Sequence, residues 1–407
     1  MKNSPDLISA DKAYELVMNE IPLAPTCKVP MEACFGLVLR EDIQAERSGP
    51  PFDRVMMDGV ALKKVNLEAG QRNFTLEGMA QAGHPQVELK TNAACEVCTG
   101  AILPLYADQV IPYEMIKQQG KTITIKEIPS ESFIHKKSSD FSQGEILLKS
   151  GVALNAPRLG ACAGQGKSEV LVSQMPTLAI VSTGDELVFP SAPTIENYQV
   201  RLSNPYAFKA ELEAWGFKQT KMTHLSDSKE EVFKKLGELL ENNNFIIFSG
   251  AISKGAFDFL PQAFEYHKIQ TIFHGVKQKP GKPFFFGKGP QGQLIFALPG
   301  NPTSSLINLR RYVIPALLKH IGLKVQDHYL VHLQETLKGK DGFTNFVPAR
   351  LENSEGKIIA HTLKMNNSGD YHSLTHSHGF LLINSANTEK PQVFIPWGGR
   401  LNYGPEF

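Results

Sequence analysis

Between Thr177 and Gly322 the chain alternates unbroken apolar runs with amphipathic ones. TLAIVSTG is apolar on both strand faces until a glycine turn, as expected of a strand covered by helices on either side. SNPYAFKAELEAWG has Ser203 or Asn204 as its N-cap and Gly216 as its stop, so it reads as a helix. The alternation runs on through KMTHLSD as strand, SKEEVFKKLGELLENN as helix, FIIFSG as strand and DFLPQAFEYH as helix. TIFHGV and LIFALPG follow as strands, then PTSSLINLRRYVIPALLKHIG as helix. This predicts a parallel α/β domain over residues 176–322, whose functional loops belong at the strand C-termini.

The flanks have a different texture. A helix is predicted over Asp11–Glu20, then an extended, turn-rich passage from Ile21 to Pro30. From Phe74 to Ile128 short alternating segments such as FTLEGMAQAG and KTITIKEI, broken by Gly, Pro and Asn, predict a β-rich region. EILLKSGVAL continues that pattern, and Leu159–Gly166 reads as a short helix. Beyond Leu323, YLVHLQETL, KIIAHTL, FLLINSA and QVFIPWG predict a separate small β domain. No internal repeat or low-complexity tract is evident.

Composition narrows the function classes. In 407 residues, 42 Lys and Arg face 41 Asp and Glu, so no global field favours nucleic acid or an anionic membrane, and any anion site must be local. The N-terminal stretch lacks the pattern of a signal peptide, and no apolar stretch approaches the ~20 residues needed to cross a bilayer. A cytoplasmic location is expected. Five cysteines are too few and too odd for a disulfide framework; Cys95 and Cys98 form a CxxC without a partner pair, which reads as buried structural thiols. HSLTHSHGF clusters three histidines. His376 and His378 would share one strand face without a third ligand, so surface or interface residues are expected there.

Three predicted strands end in glycine-containing loops: STGDEL (182–187), SGAISKGAFD (249–258) and LPGNPTSS (298–305). Glycine lets backbone approach a ligand closely, and the following helix start supplies unpaired N–H groups. QKPGKPFFFG places Lys279 and Lys282 around Pro280-Gly281, which suits a phosphate or a tetrahedral oxyanion; the bland alternative is a solvated hairpin. Glu186, Asp227 and Asp258 follow three strands, where carboxylates at one sheet edge suit a hard cation, although each alone reads as a cap. Asp58-Gly59 and Thr99-Gly100 are ordinary turn pairs.

Taken in order, PPFDRVMMDGVAL, TGAILP, STGDEL, SGAISKGAFD, KPGKPFFFG and LPGNPTSS resemble the molybdopterin molybdenumtransferase family, which includes the C-terminal domain of gephyrin. The resemblance implies an elongated multidomain chain: the central α/β domain, an N-terminal β-rich region and a C-terminal small β-barrel-like domain. Its boundaries are expected at 1–26 with 44–52 and 139–175, 27–43 with 53–138, 176–322, and 323–407. It implies a homodimer with each active cleft between one subunit's α/β domain and the partner's N-terminal β region. The implied reaction inserts molybdate into adenylylated molybdopterin and releases AMP, with Mg2+ assisting. Other cofactor-synthesis proteins and apo-molybdoenzymes are the implied protein partners. The competing functions are a non-catalytic scaffold of the same fold and an adenylyltransferase acting one step earlier.

Carried over by position, the resemblance makes Asp58, Thr99, Asp140, Glu186, Asp227 and Asp258 catalytic, the last three as metal ligands. Gly184, Ser249, Gly250, Ser253, Gly255, Pro299, Gly300, Asn301 and Pro302 would hold the pterin and AMP moieties. Lys279, Lys282, Ser304, Arg350 and Ser368 would form the molybdate pocket. The chain departs from the family pattern at Val60, where a tyrosine is usual, at Ser138-Ser139, and at Ala251 and Lys254. No arginine precedes Asp140; His135, Lys136 or Lys137 takes that place.

Overall fold

Apolar strands with both faces covered build the centre of the molecule. The structure, a computed structural model, describes residues 7–250, 259–324, 328–334, 337, 342–384 and 391–398. A six-stranded sheet runs in the order Thr220–Leu225, Leu178–Thr183, Phe245–Ser249, Leu294–Leu298, Phe285–Lys288, Gln270–His274. The first four strands are parallel, and Phe285–Lys288 is antiparallel to both neighbours.

Alternation sorts the strand side chains between two cores. Leu178 and Ile180 face the core that holds Phe208, Leu212, Trp215 and Tyr312; Ala179 and Val181 face the one that holds Leu236, Leu260 and Phe264. Fully burying each such phenylalanine contributes about 1.5–3 kcal/mol. The helices Asn204–Ala214, Lys229–Asn242 and Leu260–Tyr266 fall where the pattern placed them. Pro302–Asn308 continues through a π-turn, Leu309–Val313, into Ile314–His320.

One expected strand divides. TIFHGV reads as a single segment, but Gly275 adopts φ +95° and splits it into Gln270–His274 and Val276–Lys279. The second piece leaves the central sheet and pairs with Ile8–Ser9 on one side and Thr344–Ser354 on the other. Thr344–Ser354 belongs to a closed five-strand barrel: Lys357–Thr362, Tyr329–Leu333, Gln392–Pro396 and Gly379–Ile383 follow it in turn, and the last pairs back onto it. The lysine motif therefore lies where the α/β sheet passes into the C-terminal barrel.

The N-terminal β-rich region is a six-stranded sheet with its own apolar clusters on two faces. Thr26–Pro30 pairs with Glu169–Ser173 around a smaller core that includes Cys34 and Cys162. The short helix spans Ala156–Gly164, beginning earlier than its apolar residues suggested because Asn155 accepts from Arg158 N and caps it. All five cysteines are free thiols; Cys95 is buried, whereas Cys98 is only half-buried, which corrects its expected burial. The histidine stretch is also corrected. His372–Thr375 is a short helix, His376 its C-cap, and His378 precedes the strand and accepts the Leu351 N–H at Nδ1, so no strand face carries a histidine pair.

Candidate functional site at the strand ends

Glycine at the C-terminal edge of the sheet lets three loops meet. Gly184 has φ +123° and Gly250 φ +96°, conformations that side chains rarely adopt. A Cβ at Gly250 would sit 3.5 Å from Thr183 Oγ1, and one at Gly300 would sit 3.7 Å from Gly250 Cα. The Gly250 N–H donates to Leu298 O at 3.0 Å. Thr183-Gly184, Ser249-Gly250 and Pro299-Gly300-Asn301 thus line one edge, as the strand order requires. Ser253, Gly255 and Asp258 lie outside the described residues.

Carboxylates collect beside these loops. The Asp185 N–H donates to Asp227 Oδ2 at 3.4 Å, and the Asp227 N–H donates to Asp185 Oδ1 at 3.1 Å, so the two strand-end loops clasp each other. Glu186 folds its carboxylate back over Gly184, where a Cβ would collide with it. Among the described residues no three His, Cys, Asp or Glu side chains form a metal cluster. The donor chemistry nevertheless fits a hard cation, because the Asp185–Asp227 clasp uses one oxygen of each carboxylate and leaves the other available.

The lysine motif is a braced turn. Val276 N–H donates to Lys282 O at 3.0 Å and Gly275 N–H to Phe284 O at 2.8 Å, which closes the segment. Beneath it, Gln278 Nε2 donates to Gly281 O (3.0 Å) and Asn308 Oδ1 (2.5 Å), Asn308 Nδ2 donates to Gly281 O (3.2 Å), and the Tyr312 hydroxyl donates to Gln278 Oε1 (2.5 Å). Gln278 and Asn308 are buried, while Lys279 and Lys282 stay exposed without an ion pair among the described residues. A buried amide network that satisfies its own groups holds a turn firmly. Two cations are thereby presented on a rigid base.

The barrel adds a further wall. Asn301 Nδ2 donates to Ser368 Oγ at 2.7 Å, Thr303 N–H to Ser368 O at 3.2 Å, and Thr303 Oγ1 to Asp370 O at 2.9 Å. Asp370 orders that loop by accepting from Asn366 N–H and Ser373 N–H, and these bonds hold its carboxyl below the usual carboxylate range. Ser304, buried, is one helical turn from Asn308 and so shares its face. The helix Pro302–Asn308, which carries Ser304, is thus bonded to the Lys279–Lys282 turn through Asn308 and to the barrel loop of Ser368 through Asn301 and Thr303. Arg350 does not join them through any contact among the described residues: it is exposed on the barrel strand, roughly 16 Å beyond the residue paired with Lys279.

Asp58 and Thr99, 41 residues apart, meet in the N-terminal sheet, where Asp58 Oδ1 accepts the Thr99 N–H at 2.6 Å. That N–H, with the Thr99 hydroxyl, holds the Asp58 carboxyl below its ordinary value. Gly59 is required beside it, since a Cβ would strike the Ile111 carbonyl on the next strand. Tyr113 stands near, its hydroxyl donating to Glu96 Oε1 at 2.5 Å. Among the described residues no hydrogen bond or ion pair joins this pair to the strand-end loops of the same chain. Asp140 lies in the neck between N-terminal modules: Arg54 Nη2 meets His135 Nδ1 at 2.9 Å, and His135 Nε2 meets Asp140 Oδ1 at 2.7 Å. Of His135, Lys136 and Lys137, it is His135 whose side chain meets Asp140, whereas Lys136 Nζ and the Lys137 N–H donate to Asp53.

Comparison with known proteins turns this arrangement into an identity. A molybdopterin molybdenumtransferase from Synechocystis sp. is 37% identical over 382 residues, covering 92% of this chain and 95% of the relative. The chain belongs to the molybdopterin molybdenumtransferase family. The Synechococcus elongatus member is 30% identical over 86% of this chain and 90% of its own length. Family models match in series: the MoeA N-terminal region (domain I and II) over residues 8–166, the "Probable molybdopterin binding domain" over 179–319, and the MoeA C-terminal region (domain IV) over 331–390. The crystal structure of the molybdopterin biosynthesis moeA protein from Pyrococcus horikoshii OT3 superposes with a TM-score of 0.81 at 25% identity, covering 96% of this chain and all of that one. This family member is accordingly a transferase of molybdenum cofactor biosynthesis with the multidomain architecture expected of it.

Sequence reasoning missed several supporting side chains here. Gln278, Asn308, Tyr312 and Asp370 belong to the site's base, and Asn204 lies at its centre. Only Gln278 carried a signal, as the residue directly before the first lysine.

Proposed function

We propose that this transferase inserts molybdate into adenylylated molybdopterin and releases AMP. The observation that supports the reading is the helix Pro302–Asn308, which carries Ser304 and is bonded to the braced Lys279–Lys282 turn at one end and to the barrel's Ser368 at the other. A tetrahedral dianion needs several O–H and N–H donors and local positive charge, which a chain of net charge +1 must concentrate in one place. Lys279 and Lys282 bind the dianion, and Ser304 and Ser368 orient it. Gly184, Gly250 and Gly300 let the pterin and nucleotide approach the backbone, so that metal insertion and AMP release occur side by side.

Glu186 and Asp227, with Asp258, would hold Mg2+, which when bound draws charge off the phosphoanhydride. Asp185 orients Asp227 through their mutual backbone bonds. Asp58, kept ionised by Thr99, and Asp140 complete the cleft from the partner subunit of a homodimer in the cytoplasm. Among the described residues no helix is long and apolar enough to cross a membrane.

The test is AMP release from adenylylated molybdopterin with molybdate and magnesium. Lys279→Ala and Lys282→Ala are expected to raise the molybdate concentration needed for half-maximal rate at least tenfold, with adenylylated-pterin binding unchanged. Equal loss of both would remove this division of roles. No AMP release by wild type would favour a scaffold, and consumption of ATP would favour the adenylyltransferase.

A further inference from the structure

One side chain outside the reaction described above ties two of the three loops together. Asn204 opens the helix Asn204–Ala214, is only 8% exposed, and turns its amide inward. Nδ2 donates to Ser249 Oγ at 2.8 Å and to Gly300 O at 2.8 Å. Its Oδ1 is buried and unpartnered among the described residues. A residue kept for packing alone would not leave a buried acceptor unmet, because that costs free energy an apolar side chain avoids. The amide's two donors are what the position requires.

Each of those donors has a consequence on the far side of its partner. Ser249 accepts from Asn204, so its own hydroxyl proton is directed elsewhere, and no described residue receives it. The Gly300 carbonyl points at Asn204. In a trans peptide the following N–H points the opposite way, so Asn301 N–H is turned away from the core, and no described residue accepts it. One buried amide thereby sets two donors that no described residue accepts, the Ser249 hydroxyl and the Asn301 N–H, on loops whose backbones touch. Donation into Ser249 also strengthens whatever bond its hydroxyl donates.

We propose that Asn204 is a positioning residue for the phosphate of the nucleotide moiety: it aims the Ser249 hydroxyl and the Asn301 N–H at one phosphate oxyanion. This rests on the adenylylated-substrate reading above. Asn204 itself does not touch the phosphate; it acts through its two partners.

The test is equilibrium binding of AMP, adenosine and inorganic pyrophosphate to the full-length protein, comparing wild type with Asn204→Ala, Ser249→Ala and the double variant. Asn204→Ala and Ser249→Ala are each expected to weaken AMP and pyrophosphate about tenfold or more. Adenosine, which lacks the phosphate, should bind unchanged, and the double variant should be less impaired than the sum of the singles. Equal weakening of adenosine and AMP, or additive losses, would overturn the proposal. If Asn204→Ala fails to fold, Asn204→Asp keeps the shape and replaces the donor with an acceptor; it must show the same phosphate-selective loss. Wild type that binds pyrophosphate but not AMP would sink the adenylate reading while leaving the positioning test intact. Wild type that binds neither would remove both.

Discussion

At the scale of single residues, what distinguishes this site is how little room its glycines leave. Gly281 has φ +90°, and a Cβ there would meet Asn308 Oδ1 at 2.6 Å and Gln278 Nε2 at 2.8 Å. Neither neighbour can retreat, since both are buried and already bonded to the Gly281 carbonyl. Gly281→Ala is therefore expected to cost at least about 1 kcal/mol of stability, from the unfavourable φ alone, and to displace the two lysines. Denaturant titration and molybdate-dependence of AMP release check both halves; a variant with wild-type molybdate dependence would show that the amide base does not position the lysines. The lysines themselves were legible from QKPGK, whereas their base was not. Asn308 and Tyr312 are 27 and 34 residues from their partners in the turn, and on their helix they read as ordinary core positions.

At the scale of elements, the apolar runs told where strands lie but not which sheet each joins. TIFHGV is one run by hydropathy and two strands in fact, because Gly275 redirects the chain and a Cβ there would press on Leu7. The same limit hid Asn204. Ser203-Asn204 before an apolar-periodic stretch predicts a helix start, and the helix does start there, yet Ser203 makes no side-chain cap bond and Asn204 faces the sheet. Local chemistry announces a helix start; only the packed sheet gives the inward amide its partners. A second element carries a pH dependence. His320 ends the helix Ile314–His320, is buried against Phe245, and donates from Nδ1 to Pro22 O at 2.7 Å, while Ala24 N–H donates to its carbonyl. Burial lowers its pKa below the ordinary 6.5, with the Arg40 charge acting in the same direction. The unfolded chain then binds the proton more readily than the folded one, so stability is full above about pH 6.5 and falls as pH drops through the lowered folded value. Melting temperature measured from pH 8 to pH 5 should show this loss. His320→Gln keeps a donor for Pro22 without titrating, so it should flatten that part of the profile; an unchanged slope would assign the acid sensitivity to other groups.

At the scale of the whole molecule, the proposed dianion site requires the barrel to be seated on the α/β domain, because Ser368 comes from one and Lys279 from the other. That seating has a buried ionic anchor. Arg310, fully buried, lies 3.7 Å from Glu211 Oε1, donates from Nε to Pro396 O at 2.8 Å, and stacks over Trp215 at 4.6 Å. Glu211 in turn accepts from Trp215 Nε1 and, at 2.9 Å, from the Gly398 N–H. Burial raises the Glu211 pKa although Arg310 opposes it, so the carboxylate's charge depends on its partner remaining in place. Arg310→Met would leave that carboxylate buried without a counter-charge, which costs about 3–5 kcal/mol. The loss should fall where the anchor holds: at Gln392–Pro396, the strand between Tyr329–Leu333 and Gly379–Ile383 in the barrel wall. Limited proteolysis followed by mass spectrometry is expected to cut the Arg310→Met barrel first, with molybdate dependence weakening as Ser368 leaves Asn301. Replacing both members, Glu211→Gln with Arg310→Met, should recover part of the protection because no charge is then left buried. Cleavage spread evenly over α/β domain and barrel would show instead that the pair supports the central core, and that the barrel is seated by its strand pairing with Val276–Lys279.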